Sequence, residues 1–246
     1  MIPVWPPIAT SADVGRGYVC LVGAGEYLEP MAGVDRVLLG LTPAAHEGRP
    51  PRVICLPTAA GTEGEIVVGR WMSMGIEHFR GLGADVTALW VVDRASADDA
   101  SLEGQIGDAD LIYLSGGKPE HLLDSLSGTA AWRGILRVLA TGGVVAGCSA
   151  GAMIMGSLVP GFPNLTRRRS GFGLVPGAVV LPHYDEFFGR FGAVARFGLP
   201  DHAYVLGVDG MTGLLVGAEG WSVLGSRRVV VEAGGRREEF RADPGG

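Results

Sequence analysis

The sequence predicts an α/β protein built on one doubly wound, mostly parallel sheet, with helices on both faces in three layers. Short, fully apolar runs alternate along the chain with segments of helical spacing, which is the pattern of parallel strands joined by right-handed crossover helices. The apolar runs end in glycine-rich turns, and 41 glycines in 246 residues suit the tight crossings of such a sheet. Near the C-terminus, short strands at tight spacing predict an antiparallel extension.

Five apolar runs are predicted to form the parallel strands, each buried on both faces. They are Tyr18–Val22, Arg52–Pro57, Val86–Val92, Leu111–Leu114 and the run that ends at Ala146. Helices are expected at Val34–Leu41, Glu63–Leu82, Pro119–Leu126 and Ala130–Ala140. Reactive groups of parallel sheets gather at the carboxyl ends of strands, so the turns after these strands should surround one crevice.

The pattern changes after Gly156. Pro160–Gly173 is rich in Pro, Gly and Arg and predicts a mobile loop, followed by a strand at Val179–Leu181 and a helix over Asp185–Gly198. The expected antiparallel strands are Tyr204–Val208, Gly213–Val216, Ser222–Leu224 and Val229–Val231.

The chain shows no internal repeat and no shift in composition that would mark a second domain. We therefore expect a loose N-terminal arm over residues 1–16, a single domain over 17–232 and a C-terminal tail over 233–246. Edge strands near the C-terminus could pair between subunits, which leaves a homodimer open.

Composition excludes several classes of function. A net charge of −6 gives no electrostatic footprint for nucleic acid or an anionic membrane, and no apolar run is long enough to span a bilayer. Cys20, Cys55 and Cys148 lie in apolar runs without metal-ligand spacing, so no metal and no cofactor are predicted. The odd number of thiols favours a reducing, cytoplasmic location, and the N-terminus lacks the features of a signal peptide.

The most informative motif is Gly-x-Ser-x-Gly around Ser149, between an apolar run and a segment of good helix formers. This is the pattern of a nucleophile elbow, which places a serine on a sharp strand-to-helix turn at a helix N-terminus. Cys148 is one position away, so its side chain should face the opposite side and pack in the core. The competing interpretation is a glycine-rich turn without chemistry.

A nucleophilic serine needs a base, and His183 alone of the five histidines directly follows a predicted strand end. The others, expected to be solvated or capping residues, are His46, His78, His121 and His202. A structural histidine in a turn is the alternative for His183.

The group that orients the imidazole is left open among three acids. Asp209 ends a predicted strand and is favoured by that placement, whereas Asp185 and Glu186 are near neighbours of His183 in the chain. An ordinary turn aspartate before Gly210 is an equally good interpretation of Asp209.

An oxyanion hole needs two preorganised N–H donors. The first candidate is Ala150, immediately after the proposed nucleophile. The second is Gly117, because the backbone of Gly116-Gly117 can approach a neighbouring strand end closely. The rival interpretation, a phosphate-binding turn, lacks the Gly-Lys-Ser/Thr pattern, since Lys118 is followed by Pro119.

Taken together, these motifs resemble the cyanophycinase and aspartyl dipeptidase (dipeptidase E) family of serine peptidases. The matching segments, in order, are Val22–Glu26, Tyr113–Gly117, Gly147–Ala152, Gly173–Tyr184 and Gly207–Asp209. The resemblance implies a fold like that of the class I glutamine amidotransferases. It also implies Ser149 as nucleophile, His183 as base, Gly117 and Ala150 as oxyanion donors, and hydrolysis of a small peptide or isopeptide through an acyl-enzyme.

The sequence departs from that family where the acid is expected. Gly210 follows Asp209 in place of an acidic residue, and Leu181 stands where cyanophycinase-like members tend to carry one. The third member of the triad therefore stays open between Asp209 and Asp185. The alternative function is a weak or inactive member that uses the crevice to bind a small molecule or a partner.

Arg167-Arg168-Arg169 stands in the expected loop. A solvated charge run is the default interpretation. If the loop folds over the crevice, these side chains could recognise a substrate carboxylate through bidentate pairing.

Overall fold

The computed structural model describes residues 5–161, 164–186 and 196–242. The described strands are β1 (Tyr18–Val22), β2 (Arg52–Leu56), β3 (Asp85–Ala88), β4 (Leu111–Leu114), β5 (Val144–Cys148), β6 (Leu158–Pro160), β7 (Arg168–Ser170), β8 (Ala178–Leu181), β9 (Tyr204–Val208), β10 (Thr212–Gly217), β11 (Gly220–Gly225), β12 (Arg228–Ala233) and β13 (Arg236–Arg241). The described α-helices are α1 (Ala32–Gly40), α2 (Pro43–Glu47), α3 (Glu65–Gly81), α4 (Arg94–Ala97), α5 (Ser101–Gly107), α6 (Pro119–Leu126), α7 (Ala130–Ala140) and α8 (Ala150–Met155). Within these ranges no helix is both long enough and apolar enough to cross a membrane.

The central sheet has the strand order β11-β10-β1-β5-β4-β2-β3. The five strands from β1 to β3 in that order are parallel, and β10 and β11 extend the sheet antiparallel beyond β1. The carboxyl ends of the central strands share one edge, since Val22 pairs with Cys148 and Gly147 pairs with Leu114. The predicted fold class is confirmed.

Alternate residues of β1 face two different cores, which shows why its sequence is apolar throughout. Val19 and Leu21 pack in the core that includes residues of α7 and α8. Cys20 and Val22 point to the other face and pack with residues of α1 and α3. The sheet is therefore a middle layer between two helical layers, as a doubly wound sheet requires.

A second sheet has the order β13-β12-β9-β8, with β8 and β9 parallel and the other pairs antiparallel. The four short strands expected after residue 200 exist, but they are divided between the two sheets. The sequence did not indicate this division, because an apolar run shows that a strand is buried and does not name its partner.

Both termini are more ordered than expected over their described parts. The tail predicted over 233–246 contains β13, which pairs along its whole length with β12. Its charged sequence is tolerated because β13 is an edge strand with one side open to water. In the predicted arm over 1–16, Ile8 and Val14 are buried in the main core, and the Ser11 N–H donates to the Leu174 carbonyl.

Three further segments differ from the prediction or lie outside the description. The expected loop at Pro160–Gly173 contains β7, which pairs with β6. The third strand ends at Ala88 rather than Val92, because the chain turns out of the sheet after Leu89, where the Val91 N–H donates to the Leu89 carbonyl. Residues 187–195 of the helix predicted over Asp185–Gly198 lie outside the described residues.

Candidate active site

Ser149 occupies the turn between β5 and α8. Its backbone has φ +50° and ψ −109°, a conformation that a residue with a side chain rarely adopts. The turn is anchored to β1 because the Ser149 N–H donates to the Val22 carbonyl at 3.0 Å. Such strain is maintained only where the surrounding structure enforces it, as it commonly does at functional sites.

The two glycines of the motif allow this turn to pack. A Cβ at Gly147 would lie 2.5 Å from the carbonyl carbon of Gly151. A Cβ at Gly151 would lie 2.6 Å from the Leu114 carbonyl oxygen. Backbone therefore meets backbone on both sides of Ser149, and a larger residue at either glycine would push α8 away from β4 and β5.

His183 reaches Ser149 from the second sheet. It follows β8 with φ +47°, and its Nε2 lies 3.2 Å from Ser149 Oγ. Its backbone N–H donates to the Gly23 carbonyl at 3.3 Å, which holds the turn against the end of β1. The structure thus brings together the two side chains that were predicted as nucleophile and base, at the distance that proton transfer requires.

Tyr184 anchors the turn that carries His183. Its hydroxyl donates to Glu232 Oε1 at 2.7 Å, and its ring covers Gly207, where a Cβ would lie 2.4 Å from the ring. Burial, followed by the hydrogen bond to Glu232, raises the pKa of Tyr184 to about 12, so the hydroxyl stays protonated at neutral pH. The sequence reasoning missed Glu232, although a lone acid that ends an apolar strand was a usable signal.

Asp209, the favoured third residue, is paired with Arg228 rather than with His183. Its Oδ2 accepts a hydrogen bond from Arg228 Nε at 3.1 Å, and its Oδ1 has no partner among the described residues. Asp209 lies at a strand end as predicted, but that strand belongs to the second sheet and the carboxylate is paired with β12. The alternative Asp185 is also engaged elsewhere, since it accepts from the Gly210 N–H and pairs with Arg227.

Glu186 is the described carboxylate nearest to the outer nitrogen of His183. Its Oε2 lies 3.7 Å from His183 Nδ1, and the Glu186 side chain is 67% exposed. This separation suits a charge interaction rather than a short hydrogen bond. The sequence named Glu186 only as a neighbour of His183, because chain spacing does not show the direction of a side chain.

The backbone of Gly116-Gly117 forms the far side of the site. Gly117 has φ +143°, and a Cβ there would lie 2.5 Å from the carbonyl group of Ala59, so only glycine fits. The Gly117 N–H forms no hydrogen bond with any described residue. Ala150 is the first residue of α8, so its N–H has no acceptor within the helix. Among the described residues, the Gly117 and Ala150 N–H groups are thus both left without an acceptor.

Ser149 and Gly117 line a cavity of about 630 Å³. Its wall includes Glu120 and Asp124 of α6, and Lys118, the residue before this helix. The volume lies in the range of ordinary small-molecule sites, and the wall carries charges of both signs.

The arginine run contacts the wall of this cavity through Arg169. Arg169 binds the Asp124 carboxylate through both terminal nitrogens, and Arg168 donates to the Phe197 carbonyl. Arg167 is exposed. Since Asp124 occupies the guanidinium fork of Arg169, bidentate recognition of a substrate carboxylate by that side chain would first require this ion pair to break.

Cys148 is a core residue, which confirms the prediction made for it. The side chain is fully buried, and its thiol donates to Glu26 Oε2 at 2.8 Å. Burial, and next the charge of Glu26, raise the pKa of the Cys148 thiol well above its usual range. The sulfur is therefore held as a thiol, which is a poor nucleophile.

Of the other four histidines, two are exposed as expected and two are not. His46 and His202 are exposed, as expected. His78 is instead buried against Asp35 at 2.7 Å, and His121 binds the Val92 carbonyl at 2.7 Å while lining the cavity. The expectation of a solvated or capping residue was wrong for both, because a helical pattern does not reveal which face a polar ring takes. Within the described ranges, no group of three or more His, Cys, Asp or Glu side chains could hold a metal ion.

Comparison with known proteins identifies the family and the fold. Residues 34–220 match the model of peptidase family S51. The crystal structure of a peptidase from an acI-B1 Actinobacterium is 33% identical, with a TM-score of 0.83 over 92% of this chain and 95% of that chain. A "Putative Peptidase E Protein" from Listeria monocytogenes EGD-e shares the fold at 18% identity, with a TM-score of 0.63 over 85% of this chain and 98% of that one. No curated protein matches the chain.

These matches confirm the family resemblance that the motifs indicated. They also confirm the prediction that the protein is a hydrolase of the peptidase type. Because the family model covers more than half of the sequence, the chain belongs to peptidase family S51.

Proposed function

We propose that this peptidase cleaves a small peptide or isopeptide through an acyl-enzyme on Ser149, with His183 as general base. The observation that carries the proposal is the 3.2 Å separation between Ser149 Oγ and His183 Nε2, formed where the two sheets meet. A serine is a weak nucleophile by itself, and a base within hydrogen-bond reach is what activates it.

The proposed reaction follows from the positions of these groups. His183 removes the Ser149 proton as Oγ attacks the carbonyl carbon, and the resulting oxyanion accepts hydrogen bonds from the Gly117 and Ala150 N–H groups. Collapse of the tetrahedral intermediate breaks the C–N bond, and His183 gives its proton to the leaving amine. A water molecule then attacks the acyl ester, again with His183 as base, and releases the acid and the free serine.

The cavity supports a short substrate. A volume of about 630 Å³ accommodates a few residues, and Lys118 and Glu120 on its wall could pair with the opposite charges of a short peptide with free termini. The negative net charge supports a peptide rather than a nucleic acid as the partner. Three buried cysteines that form no disulfide support a cytoplasmic location, and the edge strands β11 and β13 leave a homodimer as a further proposal.

A fluorophosphonate probe tests the mechanism on the native protein. We expect one phosphonate adduct by intact mass, located by digestion on the peptide that contains Ser149. Iodoacetamide serves as the control reagent, and it should leave the buried thiol of Cys148 unmodified in the folded protein. A folded protein that takes up no phosphonate, or takes it up at another residue, would refute the proposal.

Glu186 is proposed as the group that stabilises the protonated form of His183. Since it is largely exposed, we expect Glu186→Gln to lower kcat by no more than about fivefold, as for other exposed ion pairs. Asp209→Asn is the matched control and should leave kcat unchanged, since Asp209 binds Arg228. Steady-state kinetics on one peptide substrate measures both. A loss of several orders of magnitude in the Asp209 variant would make Asp209 the orienting acid.

The exposed position of Glu186 also favours a second candidate function. Among the described residues no carboxylate forms a short hydrogen bond with His183 Nδ1, and a missing orienting acid is costly for turnover. The chain would then be a weak or inactive family member that binds a small molecule or a partner in the same crevice. Absence of labelling, combined with a thermal shift on adding short peptides, would select this function.

A further inference from the structure

Glu26 is a buried carboxylate that the proposed reaction does not use. It follows β1, is 9% exposed and accepts two hydrogen bonds. Its Oε1 binds the Gly116 N–H at 2.9 Å, and its Oε2 binds the Cys148 thiol at 2.8 Å. The first partner directly precedes Gly117, and the second lies two residues before Ala150. One carboxylate therefore links the two segments that carry the two unpaired N–H donors.

We propose that Glu26 is a positioning residue that sets the direction of the Gly117 N–H toward the reacting carbonyl. This inference rests on the proposed function, in which Gly117 and Ala150 bind the oxyanion. Glu26 acts through the backbone of Gly116 and does not itself touch the substrate.

The loop is fixed at three consecutive positions. The N–H of Gly116 is bound by Glu26, the Cα of Gly117 lies against the Ala59 carbonyl group, and the Lys118 N–H donates to the Ala59 oxygen at 2.9 Å. The Gly117 N–H between these contacts is the donor left without a partner among the described residues. Its direction depends on the peptide planes on both sides, and Glu26 holds the one on the N-terminal side.

Two adjacent glycines would not keep this geometry by themselves. Gly116 and Gly117 have wide backbone freedom, and a buried N–H that loses its acceptor is unfavourable unless it finds another. Without Glu26, rotation of the Gly116 peptide to reach water or another acceptor becomes favourable. That rotation would carry the next N–H away from Ser149.

The carboxylate also fills the space behind the nucleophile. A Cβ at Gly116 would lie 2.7 Å from Glu26 Oε1 and 3.3 Å from the Cβ of Ser149. The loop, the carboxylate and Ser149 are therefore in close packing, and a shortened side chain would leave the loop room to move.

The test compares Glu26→Ala with Glu26→Gln. Glutamine keeps an acceptor for the Gly116 N–H and places an amide at the sulfur of Cys148, whereas alanine removes both contacts. We expect Glu26→Ala to lower the second-order rate of fluorophosphonate labelling, and kcat on a peptide, by about 10- to 100-fold with KM almost unchanged, as for a weakened oxyanion donor. The glutamine variant should stay within about fivefold of the wild type, because the backbone contact is kept.

Asp110→Asn is the matched control for a general effect of removing a buried carboxylate. Asp110 is also buried, accepts the Arg52 N–H at 2.7 Å and pairs with Arg49, but it lies at the opposite end of β4 from Gly116. Its loss should lower the denaturation midpoint without changing the labelling rate of the folded protein. A labelling rate in Glu26→Ala equal to that of the wild type would overturn the inference. Equal losses in the alanine and glutamine variants would do so as well.

Amide hydrogen exchange of the peptide that spans 113–118 separates this inference from the proposed function. In Glu26→Ala, we expect faster exchange there and no change there in Asp110→Asn. Unchanged exchange would overturn the inference even if the wild type is an active serine hydrolase. If the wild type is not labelled, the proposed function and its oxyanion role for Gly117 fall together, and only an anchoring contact between Glu26 and the loop stands.

Discussion

Ser149→Ala is expected to abolish turnover, with a loss in kcat on the order of 10⁵-fold, because the variant has no atom that can form the acyl ester. The folded structure should persist. The only hydrogen bond of the Ser149 side chain within the described residues is with His183, and the backbone contact to the Val22 carbonyl is kept. Kinetics on a peptide substrate and labelling by the fluorophosphonate probe measure the loss, and thermal unfolding checks the fold.

Ser222→Ala is the control for this variant. Ser222 is an exposed serine on β11, far along the sheet from the crevice, and its loss should change neither labelling nor turnover. Retained turnover in Ser149→Ala, with a stable fold, would show that a different residue attacks the substrate.

His183→Ala is expected to reduce kcat to a similar extent, on the order of 10⁴- to 10⁶-fold, because nucleophile and base act as one unit. The substitution leaves Ser149 Oγ without the base that lies 3.2 Å away. Since the His183 side chain is 37% exposed, added imidazole should enter from the solvent and restore part of the activity. Turnover against imidazole concentration measures this rescue.

The double variant distinguishes a shared role from two separate ones. Ser149→Ala combined with His183→Ala should be no slower than Ser149→Ala alone. His202→Ala, at an exposed histidine outside the crevice, is the control. Full activity in His183→Ala, or additive losses in the double variant, would contradict the assignment of the base.

The parallel core of the fold could be predicted because its strands are continuous apolar runs joined by helical segments. For the runs at β1, β4 and β5, residue type and the glycines at or after the strand end both predict a buried strand, and at β2 the exit is marked by Pro57 instead. The C-terminal half was less predictable. Strands β9 to β12 were recognised individually, yet their division between two sheets depends on pairings between residues distant in sequence. The strand β13 was missed because most of its residues are charged.

In the candidate site too, contacts between residues distant in sequence limited what could be predicted. The proximity of Ser149 and His183 could be predicted because both residues follow strand ends. The acid could not, since Asp209 also follows a strand end and yet its carboxylate turns to Arg228. In the sequence, Glu26 stands out only as the last residue of the segment Val22–Glu26 that carries the family resemblance. A buried carboxylate that binds backbone N–H groups leaves little trace in a single sequence, because its partners come from other strands.

The two proposed reacting side chains are carried by different sheets. Ser149 follows β5 of the central sheet, whereas His183 follows β8 of the second sheet and is secured there through Tyr184 and Glu232. Each sheet keeps its own backbone hydrogen bonds if the two slide slightly against each other, but the contact between Oγ and Nε2 does not survive a displacement of about 1 Å. The proposed activity therefore depends on the relative position of the two sheets. A small shift between them would separate Ser149 Oγ from His183 Nε2 while both sheets stay folded.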